Sequence, residues 1–142
     1  MSGEAGYLLD TNVISETRKA RANPDVMAFL AGADSAALFL SVLSLGELRK
    51  GVEAKRRDDP EAAAQLGAWV DGIETTFADR ILDIDAAIAR LWGELSAARS
   101  LPVIDTLMAA TAIRHDHTLV TRNVRDVATT GVMTLDPWQS TP

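Results

Sequence analysis

Apolar positions come in two rhythms along the chain, short unbroken runs and longer stretches spaced by three and four. The first run, Tyr7 to Leu9, predicts a strand, and Ala37 to Val42 predicts a second of the fully buried kind. Ile81 to Ile84, Thr118 to Thr121 and Val132 to Leu135 predict three more. Between them the spacing turns helical. Asn12 is placed to cap a short helix through about Lys19, and Asn23-Pro24 opens another in the favoured cap-then-proline order. Ser44 starts a helix to about Arg57. Pro60 opens one whose apolar face is Leu66, Trp69, Val70, Ile73 and Phe77. Asp85 caps a helix with the stripe Ile88, Leu91, Trp92 and Leu95, and Pro102 begins a helix to about His115. Strands alternating with helices predict an α/β fold, three layers deep, with a central parallel sheet covered by helices on both faces. The tryptophan and phenylalanine stripes are core in the simplest reading, with part of that surface available to a dimer or partner.

Composition narrows the class. The chain has 142 residues, 47% hydrophobic and 24% charged, which suits one globular domain with its own core. We expect residues 1–142 to form that single domain, with 1–5 a loose leader, since no repeat or linker interrupts them. The leader lacks the basic flank and apolar core of a signal peptide, and no run approaches a membrane span. With no cysteine there are no disulfides or thiolate metal sites, which fits a reducing cytoplasm. The net charge of −6 is a poor footprint for wrapping a long nucleic acid. It is compatible with a nuclease whose acids are neutralised by metal. Basic groups occur at Arg18, Lys19 and Arg21, at Arg49, Lys50, Lys55, Arg56 and Arg57, and at Arg122 and Arg125; most read as solvated faces.

The acids are the informative feature. Asp10 ends the first strand, the place where open α/β sheets put active-site groups, although a turn residue there is also common. Thr11 and Asn12 follow at the same strand tip and add two polar groups able to hold a water or a phosphate oxygen. Glu47 has two competing roles. Ser44-Leu45-Gly46-Glu47 fits a capping box, which would occupy the carboxylate, yet the same placement sets it in the first helical turn after a buried strand. Asp105 is the sharpest case. Its helical neighbours Leu101, Met108, Ala109 and Ala112 are apolar, and a lone carboxylate there is costly without a partner. A cation is the economical partner. Thr121, Arg122 and Asn123 sit at the tip of the fourth strand with Asp126 a turn further, and Asn123 is also placed to cap the helix carrying Asp126. His115 and His117 read as surface residues. Carboxylate oxygens without cysteine or histidine select Mg²⁺ or Mn²⁺, ions that act on phosphodiesters. Neither a Walker loop nor G-x-G-x-x-G is present.

Leu9-Asp10-Thr11-Asn12-Val13-Ile14-Ser15, Ser41-Val-Leu-Ser-Leu-Gly-Glu47-Leu48, Ile104-Asp105 with Met108-Ala-Ala-Thr-Ala, and Leu119-Val-Thr-Arg-Asn123 closely resemble PIN-domain proteins. They are most similar to the VapC/FitB-type toxins, and Gly131 to Leu135 followed by Asp136-Pro137-Trp138 resembles the FitB-like subgroup. The match runs in order along nearly the whole chain. The resemblance implies a Mg²⁺- or Mn²⁺-dependent endoribonuclease inhibited by a cognate VapB-type antitoxin. It also implies a homodimer, a higher toxin–antitoxin assembly, and DNA contact only through the antitoxin. Asp10, Glu47 and Asp105 map onto the first three acids of the family. Some members carry the fourth at the position of Asn123 and others about three residues later; Asp126 is taken as the fourth here, with Asn123 as a water or substrate contact. Thr11, Asn12 and Thr121 would support the acids, and Arg122 would meet a phosphate. The alternative is a cleavage-poor PIN scaffold that mainly partners an antitoxin in a DNA-binding autoregulatory complex.

Overall fold

In the computed structural model, which describes residues 6–139, five strands form one parallel sheet in the order β3-β2-β1-β4-β5. The strands are β1 (Tyr7–Leu9), β2 (Leu38–Ser41), β3 (Ile81–Leu82), β4 (Thr118–Val120) and β5 (Thr134–Leu135). The helices are α1 (Thr11–Glu16), α2 (Pro24–Gly32), α3 (Val42–Asp58), α4 (Pro60–Thr76), α5 (Ala86–Ser96) and α6 (Val103–Arg114), with 3₁₀ segments at Ser35–Ala37 and Val124–Thr130. The expected loose leader at residues 1–5 lies outside the described residues.

Strand alternation sorts the core into two layers. Leu9, Leu40 and Val120 face one way and pack with Val13, Val26, Leu48, Val52 and Val70 from α1 to α4. Leu8 and Leu119 face the other way and meet Met108, Ala109 and Ala112 of α6 with Val127. The helix α5 packs on α6. Leu8, fully buried, alone contributes roughly 2 kcal/mol of hydrophobic stabilisation. Small residues on α6 let that helix approach the sheet closely. The three-layer α/β/α expectation is met. Among the described residues no helix is long and apolar enough to cross a membrane.

Several local expectations change. The helix α1 is capped by Asp10, whose Oδ1 accepts the Thr11 N–H at 2.7 Å, and not by Asn12. It ends at Glu16, short of Lys19, and Glu16 is buried, accepting the Asn23 N–H at 2.8 Å and pairing with Lys19 at 2.9 Å. The strand expected from Ala37 begins one residue later because Ser35–Ala37 forms a 3₁₀ turn capped by Asp34. The helix α3 starts at Val42, where Ser41 caps it by accepting the Leu43 N–H at 3.0 Å. The capping box from Ser44 to Glu47 is therefore absent. Ser44 is already inside the helix, and Glu47 lies in its second turn.

His117 is not the surface residue expected. Its ring packs on Phe39 with centroids 4.5 Å apart, its Nδ1 is buried without a partner, and only His115 is exposed. Burial and the neighbouring His115 hold the His117 imidazole below its usual pKa. Gly6 makes this packing possible. A Cβ there would stand 2.8 Å from His117 Nε2 and 2.9 Å from Phe39 Cε1.

Candidate active site

Chain order reverses at β1: β2 and β3 lie to one side, β4 and β5 to the other. The crevice beyond the C-terminal ends of β1 and β4 is thus a topological switch point, where open α/β sheets bind ligands. Asp10 leaves β1 into it and Thr121 leaves β4. The Asp10 N–H bonds the Val120 carbonyl at 2.9 Å, extending the strand pairing to the residue that bears the acid.

Asp10 is buried and held from both sides. Its Oδ1 caps α1, and its Oδ2 accepts the Thr121 hydroxyl at 2.7 Å. The same Thr121 oxygen accepts the Asn123 N–H at 3.0 Å, tying the loop after β4 to the acid. Desolvation raises the Asp10 pKa; the Thr121 and Thr11 hydrogen bonds oppose it, and the nearby Glu47 charge adds to it.

Glu47 is exposed and accepts the Thr11 hydroxyl at 2.5 Å. Thr11 Oγ1 also lies 2.9 Å from the buried Ser44 Oγ. A hydroxyl has one proton, so Thr11 donates to the carboxylate and accepts from Ser44. Loss of the capping box is what leaves Glu47 available for this contact. Ser44, read from sequence as a helix cap, instead orients Thr11 from below.

Asp105 occupies the first turn of α6, a helix without a side-chain cap. It is half-buried, and its pKa is raised by desolvation first and then by the charges of Asp10, Asp126 and Glu47. The charges of the other three expected acids therefore all bear on Asp105. Asp126 is exposed in the first turn of the 3₁₀ segment Val124–Thr130. Asn123 occupies the N-cap position of that segment, but its side chain caps nothing; the Asp126 N–H bonds the Asn123 carbonyl. Arg122 is exposed, its guanidinium 4.6 Å from the Trp138 ring centroid.

The donor set suits a hard divalent cation. Every candidate ligand is oxygen, and Asp10 and Asp105 are pushed towards protonation by burial first and then by neighbouring acids. Asn12 Oδ1 is buried without a hydrogen-bond partner on the same helical turn as Thr11. Among the described residues no three histidine, aspartate or glutamate side chains are grouped so as to hold a metal ion as they stand. Glu47 is turned onto Thr11 and Asp10 onto Thr121, so each of these two carboxylates is tethered to a threonine. Ser44 and the Trp138 face were not anticipated as parts of this region. Only the serine chemistry of Ser44 carried a signal, and that signal also fits a cap.

Residues 7–129 match the family model described as PIN domain. The toxin FitB of Neisseria gonorrhoeae (strain ATCC 700825 / FA 1090) is 30% identical over 136 residues, spanning 92% of this chain and 97% of FitB. The VapC ribonuclease Y4jK of Sinorhizobium fredii (strain NBRC 101917 / NGR234) is 28% identical over 137 residues, spanning 93% and 97%. Among solved structures, FitAB bound to an IR36 DNA fragment contains a chain of 28% identity that superposes with a TM-score of 0.87, covering 96% of this chain and 98% of that one.

Proposed function

The chain belongs to the PIN-domain family, and from that premise we propose that it is a metal-dependent endoribonuclease toxin, cytoplasmic and restrained by a cognate VapB-type antitoxin. The observation that carries this reading is the convergence of Asp10, Glu47 and Asp126 on Asp105 at the C-terminal edge of a parallel sheet. A cluster of acids alone repels an anionic substrate, so the RNA cleavage proposed here needs Mg²⁺ or Mn²⁺. Asp10 and Asp105 would be its main ligands, with Glu47 and Asp126 completing the set. A bound ion would supply polarisation of the scissile phosphoryl group and a water made nucleophilic near neutral pH.

The chain's own residues hold and aim. Thr121 and the Thr11 N–H keep the Asp10 carboxylate fixed and ionisable within its buried setting. Thr11, backed by Ser44, aims Glu47, which orients the attacking water or takes its proton. The water oxygen bonds to phosphorus in line as the bond to the 3′ oxygen breaks, leaving a 5′-phosphate and a 3′-hydroxyl. Arg122 and Asn123 flank the site as substrate contacts, and Asn12 supports the acid set. FitB is named a toxin and Y4jK a ribonuclease, and FitAB has been seen on DNA. By analogy we assign this chain an RNA substrate, a homodimer, and DNA contact only through the antitoxin in a larger assembly.

Calorimetry of Mn²⁺ binding to the free protein tests the reading without a guess at the substrate. Wild type is expected to bind and Asp105→Asn to lose binding, after which the wild type should cleave RNA in Mn²⁺. No binding by a folded wild type at millimolar Mn²⁺ would favour the cleavage-poor scaffold.

A further inference from the structure

A groove of about 310 Å³ opens directly beside Glu47, between the end of α1 and the facing sides of α3 and α4. Thr11, Glu47 and Arg18 are among its polar lining residues, and Leu66 and Trp69 give it apolar surface. The Arg18 guanidinium lies 5.9 Å from the Trp69 ring centroid. Several other basic groups are committed to carboxylates. Arg49 is tied to Asp71 and Glu74, Arg56 to Glu53, and Lys19 to Glu16. Among the described residues no carboxylate pairs with Arg18, so its donors remain available to an anion.

Gly51 also lines this groove, in the middle of α3, where glycine costs up to about 1 kcal/mol relative to alanine. A Cβ there would meet nothing within 4 Å. The missing side chain relieves no clash. It keeps open the ground next to Glu47. A second groove, about 590 Å³ and walled by Leu43, Lys50 and Ile104, reaches Glu47 and Gly51 from the opposite side of α3. Glu47 therefore stands on a saddle between two depressions, each with a basic residue on its wall.

That shape suits a single strand laid across the helix, with its backbone passing Glu47 and a nucleotide on either side. An aromatic face with an unpaired guanidinium beside it is the chemistry that stacks a nucleobase and holds its phosphate. The volume is of the order of a small-ligand site, about 300 Å³ or more. We propose that the groove formed by Trp69, Arg18 and Gly51 is a nucleotide subsite, seating one base next to the cleaved bond and so selecting where RNA is cut. This rests on the ribonuclease reading for its substrate and adds the residues that choose the sequence. RNA is favoured over a protein segment because the groove opens onto the acids proposed to cleave phosphodiesters and sets an aromatic wall beside a guanidinium that no carboxylate among the described residues holds.

The test uses the full chain and a fluorescein-labelled, mixed-sequence, single-stranded oligoribonucleotide. Binding is read by anisotropy in the Asp105→Asn background, and cut positions are mapped in the otherwise wild-type protein with Mn²⁺. Trp69→Leu is expected to weaken binding about tenfold and to change the base preferred beside the cut, with Trp69→Phe restoring most of both. Gly51→Gln, which fills the open ground, is expected to do the same, and it decides the matter if Trp69→Leu fails to fold. Unchanged affinity and cut positions in folded variants, with cleavage intact, would overturn the subsite and leave the nuclease standing. RNA binding that depends on Trp69 and Gly51 without any cleavage would keep the subsite and remove the nuclease. Loss of binding to a partner protein alone would assign the groove to protein and also overturn the proposal.

Discussion

Thr121 donates its hydroxyl to Asp10 Oδ2 at 2.7 Å, joining the tips of two adjacent strands that lie 111 positions apart in the chain. This bond opposes the desolvation that raises the Asp10 pKa. Thr121→Val keeps the shape and removes the donor, so the carboxyl should titrate higher still. Hydrogen bonds to charged groups are worth about 1.5–3 kcal/mol, so cleavage near neutral pH should fall at least about tenfold. The acidic limb of the pH–rate profile should move to higher pH, and Thr121→Ser should restore it. An unshifted profile in the valine variant would remove Thr121 from the site.

Asp10→Asn and Asp105→Asn are each expected to abolish cleavage while leaving the circular dichroism spectrum unchanged. Wild-type turnover by either variant would refute the assignment of the acids.

Without a divalent cation, Asp105→Asn should also melt at a higher temperature than wild type at neutral pH. The folded carboxyl titrates above the unfolded value of 3.8, so the folded state retains a proton that the unfolded chain has lost. Stability therefore falls as pH rises from 3.8 through the folded pKa. The asparagine variant lacks this loss. Its advantage should vanish at pH values below 3.8 and should shrink when Mn²⁺ is added to both proteins. A wild type that melts at or above the variant at neutral pH would count against burial as the cause.

The two serines at the start of α3 should separate stability from activity. Ser41→Ala removes the cap on the Leu43 N–H and should destabilise the fold by about 1 kcal/mol, read as a lower denaturation midpoint. Ser44→Ala removes the support of Thr11 and should lower kcat by more than it changes KM. Reversed effects would restore Ser44 as the cap.

His117 provides an acid-sensitive point away from the site. Its folded pKa lies below the ordinary imidazole value of 6.5, so the stability of its neutral form is present above that value and lost as pH falls through the folded pKa. His117→Phe should flatten this part of the melting profile. Equal acid sensitivity in both proteins would place the titrating group elsewhere.

Much of this molecule is legible without coordinates because two signals coincide. Buried runs such as Leu8-Leu9 and Leu38 to Leu40 mark the sheet, a carboxylate where the first run stops draws attention to Asp10, and one that interrupts an apolar helix face draws attention to Asp105. What stayed hidden depends on distant packing. Both Ser41 and Ser44 have cap chemistry, and only the end of β2 decides between them. His117 looks like a turn residue until Phe39 is brought beneath it. Glu16 looks like the solvated end of a helix, yet the turn to Asn23 wraps an N–H around it. The grooves on either side of α3 required three helices to be set against one another.

The bond between Asp10 and Thr121 also has a timetable. A ribosome makes the chain from its N-terminus, and β4 is translated only after α1 to α6. Until then the central strand has an open flank, and its acid lacks the donor that steadies it. Long-range parallel pairing is slow to form. A chain that ends before β4 thus carries Asp10, Glu47 and even Asp105 without the Thr121 donor that steadies Asp10, and the centre proposed here would be complete only once β4 has emerged and paired.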